Sequence, residues 1–254
     1  MKKIAIRLLI GVLALVVIAV ICVSFFLDSA VKRGIETVGP MVAKVEIKLD
    51  SISLSLLSGS GKIKGLLVGN PEGYKTPSAI QVGTASLALQ PGSILSDKVV
   101  IKSISVEAPE VTFETDLKGN NLSKILANLQ AATGGGESQP TTSKGASKKL
   151  QVDDFLIRGA KLHVSVSTLG QSATVPLPDI HLTALGTGPD GISAAELAKR
   201  VLQAIEKEAV QASTGAIAGL AKDAAGLSKE AGKAASSEVD KVSQGIGGLL
   251  KKKQ

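Results

Sequence analysis

Leu8 to Leu27 is an unbroken run of twenty residues without a charge, and it fixes where the rest of the chain folds. At about 1.5 Å per residue, a helix of that length is about 30 Å long, the hydrocarbon thickness of a bilayer. Lys2, Lys3 and Arg7 precede the run; Asp28 follows at once, ahead of Lys32 and Arg33. The positive-inside rule then keeps the N-terminal tip in the cytoplasm and sends the bulk of the chain across. The rival is a cleaved signal peptide, whose apolar core runs about 7–15 residues and ends in a small-x-small site. This run is longer, and Phe25-Phe26-Leu27-Asp28 is a poor cleavage site. Cys22 lacks the small residue that a lipoprotein signal needs before it, because Ile21 stands there. An uncleaved anchor is expected.

Past the anchor about 225 residues remain, enough for one domain or two small ones. Aromatics make up 2% of the chain and there is no Trp, so burial must come from Val, Ile, Leu and Ala. The single Cys lies inside the apolar run, which rules out an intramolecular disulfide. The net charge of +7 is scattered, without the basic stripe or stacking aromatics of a nucleic-acid binder. Lys251, Lys252 and Lys253 form a short basic end, suited either to anionic headgroups or to plain solvation.

From Val42 to Thr115 the pattern is that of strands. Val45, Ile47 and Leu49 alternate with Glu46, Lys48 and Asp50, and the alternation resumes one residue out of phase at Ile52, Leu54 and Leu56. A slip of one residue is what a β-bulge produces. Strands are predicted at Lys62–Val68, Ile80–Gln90, Lys98–Glu107 and Glu110–Thr115, separated by turns at Ser58–Gly61, Asn70–Gly73 and Pro91-Gly92. Gly119-Asn120-Asn121 opens a short helix with Leu122, Ile125, Leu126 and Leu129 on one face. Thr133–Lys149 reads as a flexible linker. A second strand group follows, with Leu162, Val164 and Val166 alternating against His163, Ser165 and Ser167, then Thr174–Leu177 and Asp179–Leu185. Ser193 and Glu196 form a capping box, and Ile192 and Leu197 a hydrophobic staple, for a helix to about Gln211 marked by Leu197, Val201, Ile205 and Glu208. In the Ala/Gly-rich tail Ile217, Leu220, Ala224, Leu227 and Ala231 step as helix seams do, but its glycines work against a helix, leaving a helical or a disordered tail.

The expected divisions are 1–30 for the tip and anchor, 40–132 for the first β group and its helix, 133–149 for the linker, 150–211 for the second β group and its helix, and 212–254 for the tail. The expected fold is mainly β with peripheral α. Behind the transmembrane helix lies a curved antiparallel sheet, an open trough or half-barrel with short covering helices.

Catalytic chemistry is not legible. His163 and His181 fall on polar strand faces without a second metal ligand nearby, and no His-x-x-x-His or Gly-x-Ser-x-Gly spacing occurs. Gly61-Lys62 lacks the rest of a phosphate loop, and the side chains of the adjacent Asp153 and Asp154 are expected to point to opposite faces. Asn121-Leu122-Ser123 matches a glycosylation sequon. No enzyme, cofactor or metal is expected.

Several pieces stand in a telling order: the anchor, then Ile52-Ser53-Leu54-Ser55-Leu56, Ser58-Gly59-Ser60-Gly61, Leu66-Leu67-Val68-Gly69-Asn70-Pro71-Glu72-Gly73-Tyr74, Ile104-Ser105-Val106-Glu107-Ala108-Pro109-Glu110-Val111 and Gly119-Asn120-Asn121-Leu122. This order resembles the N-terminal part of the AsmA family of Gram-negative bacteria, and Val175-Pro176-Leu177-Pro178-Asp179-Ile180-His181-Leu182 resembles the later repeat of its short members. The resemblance covers roughly residues 1–185. It implies a single-pass inner-membrane anchor, a periplasmic bulk and a part in outer-membrane or envelope homeostasis. Large relatives are similar to bridge-like lipid-transfer proteins; here about nine strands at ~4.8 Å each make a sheet only about 40 Å long.

Many strands with one aliphatic face and few helices to cover it leave a surface for something apolar, such as the acyl chain of a phospholipid. The expected lining is Ile52, Leu54, Leu56, Val82, Leu87, Leu89, Ile104, Val106, Val111 and Phe113. An ordinary closed core is the competing reading of the same residues. From another class, the chain is a non-catalytic assembly factor that docks an envelope protein through its tail or sheet edge.

Overall fold

The computed structural model describes residues 10, 26–94, 96–115, 119–133, 148–167 and 170–250, with side chains as far as 223. The predicted anchor Leu8–Leu27 falls almost wholly outside the described residues, as does most of the predicted linker. Among the described residues no helix is long and apolar enough to cross a membrane.

Helix α1 (residues 26–43) leads into a sheet of ten strands. These are β1 (Ile47–Lys48), β2 (Ser51–Leu54), β3 (Ser60–Val68), β4 (Ile80–Leu89), β5 (Lys98–Glu107), β6 (Glu110–Thr115), β7 (Lys149–Arg158), β8 (Lys161–Val166), β9 (Gln171–Pro176) and β10 (Ile180–Leu185). Helix α2 (Asn121–Thr133) lies between β6 and β7, and helix α3 (Ala194–Leu250) follows β10. The sheet curls into a half-barrel, so the two predicted strand groups form one sheet.

The ten strands make six rungs. β4 pairs with β5 through Thr84↔Glu107 and with β6 through Gln81↔Glu110 in one unbroken register, so β5 and β6 are one kinked rung. β7–β8 and β9–β10 are kinked rungs of the same kind, and β1–β2 pairs as one with β3. The rung β5–β6 runs parallel to β7–β8, each partner 51 residues further on, from Lys98↔Lys149 to Thr115↔Val166. This corrects the expected all-antiparallel sheet. Parallel neighbours need a crossover, and α2 with the segment after it supplies one.

The kinks lie in line. Gly65 stands opposite Gly83, Gly83 opposite Ala108, and Ala108 opposite Gly159, as the flanking pairs Leu66↔Val82, Gln81↔Glu110 and Glu107↔Arg158 require. Gly65, Ala108 and Gly159 have φ of 63°, 47° and 62°. Along this crease the inward residues sit three apart instead of two: Ile63 and Leu66, Val82 and Ala85, Val106 and Pro109, Ile157 and Ala160, Leu177 and Ile180. Each rung spends one extra residue there, which restores the apolar side chains to the same face. The phase slip between Leu49 and Ile52 is the same crease on the first rung.

Cross-strand rows show how amphipathic the sheet is. Ile52, Ile63, Ala85, Val106, Ile157 and Ile180 form one inward row across all six rungs. The neighbouring outward row is Ser53, Lys62, Ser86, Ser105, Leu156 and His181. α2 buries Leu122, Ile125, Leu126 and Leu129, as its spacing predicts, and packs on β6 and α3. α3 packs on β7, β8, β9 and β10 through Leu202, Ile205 and Ala209. Its buried stripe is turned from the predicted one: Leu197, Val201 and Glu208 are only half-buried. It also runs on past Gln211 to Leu250, so the predicted second helix and tail are one helix.

Candidate functional site

The ten predicted lining residues divide into two groups. Ile52, Val82, Ile104, Val106, Val111 and Phe113 are buried among other side chains of the sheet and its helices. These six are part of the hydrophobic core. Leu54, Leu56, Leu87 and Leu89 are half-buried. Leu56 is not in a strand: β2 ends at Leu54, and the turn to β3 runs from residue 56.

The half-buried leucines gather at one end of the sheet. Leu54 pairs with Gly61, and Gly61 with Leu87. A Cβ on Gly61 would lie 2.0 Å from Leu87 Cδ1 and 2.8 Å from Leu54 Cδ2, so the two side chains meet over a residue that has none. The Leu89 amide donates to the Gly59 carbonyl at 2.5 Å, which ties β4 to the same turn. Leu87 and Leu89 also pack against the core, and among the described residues α2 and α3 pack mainly on β6 to β10 and not on this corner. Its aliphatic side chains are suited to contact with hydrocarbon.

α1 joins this corner to the N-terminal run. Asp28 Oδ1 accepts from the Leu54 amide at 2.8 Å, Glu36 Oε1 accepts from the Leu49 amide at 3.1 Å, and Lys32 Nζ donates to the carbonyls of Leu49 and Asp50. Residues 28, 32 and 36 lie four apart, on one helical face. Their side chains satisfy the free edge of β1–β2, which would otherwise invite another strand. Gly34, Gly39 and Pro40 are weak helix formers, so α1 has little local signature in the sequence.

At the opposite end lies the residue that sequence reading missed. Glu114 is 1% exposed. Its carboxylate accepts from the amides of Lys75 (2.9 Å) and Thr76 (2.8 Å) and from the hydroxyls of Thr76 (2.6 Å) and Ser167 (2.9 Å). Burial alone would raise its pKa; the hydrogen bonds from Thr76, Lys75 and Ser167 outweigh that and hold it below the usual glutamate range. Asn121 accepts from the Glu114 amide at 3.0 Å and donates to Asn70 Oδ1 and the Thr112 carbonyl, each at 2.8 Å. Asn70 and Asn121 therefore meet beside Glu114, Asn121 at its backbone amide and Asn70 at Thr76, which holds its carboxylate. Asn121 is 0% exposed, which removes it as a glycosylation acceptor.

Other polar groups are paired with neighbours on adjacent strands. His163 Nδ1 lies 2.9 Å from Thr174 Oγ1, and His181 Nε2 2.5 Å from Asp154 Oδ1. Lys102 Nζ donates to Asp153 Oδ2 at 2.9 Å, so the adjacent aspartates serve different partners. Among the described residues no three His, Cys, Asp or Glu side chains are placed to hold a metal. A shallow cleft of about 700 Å³ beside β1 mixes the charged Glu36, Lys44, Glu46 and Lys48 with Pro40, Val45, Ile47 and Asn70. Neither a protein-family model nor a curated protein matches the chain.

Proposed function

We propose that this chain is a membrane-tethered, non-catalytic module that binds or passes lipid along the uncovered corner of its apolar sheet face. The resemblance to the AsmA family adds the setting: an inner-membrane anchor, a periplasmic bulk and a part in envelope homeostasis. One observation carries the reading. The half-covered leucines Leu54, Leu87 and Leu89 open at the end of the sheet where Asp28, next after the apolar run, bonds the Leu54 amide. An acyl chain leaving the bilayer beside the anchor meets these residues first. Apolar burial is worth about 25 cal/mol per Å², so contact over about 150 Å² contributes roughly 4 kcal/mol. Most of the inner face is buried by its own side chains, so the reading is of partial, lateral contact with a lipid and not of a chain threaded through a tunnel.

The test is photo-crosslinking in cells expressing the full chain, with the probe placed at Leu54 or Leu87 and, as outward controls, at Ser53 or Ser86. Lipid adducts at the first pair and none at the second support the reading. Protein adducts at Leu54 and Leu87 without lipid would favour an assembly factor that docks an envelope protein.

A further inference from the structure

The corner at Leu54 carries apolar side chains that binding on the inner face does not use. Leu57, in the turn between β2 and β3, is 80% exposed, more than any other large apolar side chain among the described residues. Phe26, two residues before Asp28, is 77% exposed. Single exposed apolar side chains are ordinary on a surface. These two share an end, because Asp28 bonds Leu54 and the turn begins two residues beyond Leu54. Lys98, Lys148 and Lys149 start β5 and β7 at the same end, beside Asp97 and Asp190. Lys148 Nζ donates to the Ser96 carbonyl and Lys98 Nζ to the Gly188 carbonyl, each at 3.1 Å, which draws the neighbouring loops together. Apolar tips on an end that also carries lysines are the make-up of a surface that sits at a headgroup layer.

We infer that this end of the sheet docks on the bilayer, with Leu57 and Phe26 entering the boundary between headgroups and acyl chains. The occupant is set by the chain itself: the apolar run Leu8–Leu27 ends where α1 begins, so the surface that meets Leu57 is the membrane holding that run. The inference rests on the tether proposed above. Its consequence is that Leu54, Leu87 and Leu89 open onto the bilayer, and a lipid reaches them without passing through water.

The full chain, carrying Cys22→Ser, is reconstituted into vesicles of phosphatidylcholine and phosphatidylglycerol, and an environment-sensitive fluorophore is attached at Leu57→Cys or Phe26→Cys. Glu72→Cys, in the turn at the opposite end, is the control. The expected result is a blue-shifted emission at position 57, quenched several-fold more by nitroxide on the lipid acyl chains than at position 72; position 26, inside the apolar run, reports the tether and is quenched whether or not the end docks. Quenching at 57 equal to that at 72 overturns the inference. Flotation of the same samples separates the two failures. A chain that floats with the vesicles but leaves position 57 unquenched keeps its tether and loses the docked end; a chain that does not float loses both.

Discussion

Glu114 shows what a single residue decides in this fold. In the sequence it is one more polar position alternating with Val111 and Phe113. The loop that buries it comes from residues 75 and 76, too far along the chain for any local pattern to show. The neighbouring stretches were legible as a turn and a helix start, and their meeting was not. Glu114→Gln puts an amide donor among several donors, and is expected to cost about 2 kcal/mol and about 5 °C in Tm. Thermal unfolding of the variant checks this. The same network sets a pH dependence. The folded pKa lies below the unfolded value of about 4.3, so the stabilisation is complete above that value and is lost as pH falls through the folded one. Urea midpoints measured downward from pH 5 should fall for the parent chain and fall less steeply for Glu114→Gln.

Among the elements, α1 and the crease do what no single strand does. The crease was legible on the first rung, where the alternation slips between Leu49 and Ile52. On β5–β6 and β7–β8 it was hidden, because Ala108 and Gly159 read as ends of separate strands. The register shows them as the same position of two parallel rungs. Ala108 adopts a left-handed conformation that costs a residue with a Cβ about 1–2 kcal/mol, while Gly159 adopts it freely. Ala108→Gly is therefore expected to gain about 0.5 kcal/mol after the entropy cost of glycine, and Gly159→Ala to lose about 1 kcal/mol. Urea denaturation of the pair gives both signs in one experiment. α1 was not legible, since its role is to cap an edge with Asp28, Lys32 and Glu36 and not to bury an apolar stripe. Asp28→Ala should leave the Leu54 amide without its acceptor, and hydrogen exchange at Leu54 should accelerate at least tenfold while β5 and β7 keep their protection.

At the scale of the molecule, the sequence showed an aliphatic face and few helices to cover it. It did not show how much of that face the sheet would fill by curling. Curling buries Ile52, Val106 and Ile157 along one row, and α2 and α3 cover β6 to β10. Several inward side chains stay half-buried, Ile63 and Leu66 among them; of these, Leu54, Leu87 and Leu89 gather at the end that leads back to the N-terminal run. A parallel pairing at the centre was equally hidden, since strand patterns carry no direction and only the crossover through α2 sets it. The most direct measurement is native mass spectrometry of the full chain released from detergent micelles. The account predicts a bound acyl-chain lipid, lost when Leu54→Asp and Leu87→Asp are combined and retained when the outward Ser53→Asp and Ser86→Asp are. A parent chain that emerges free of lipid, and takes none up from added phospholipid, would contradict it.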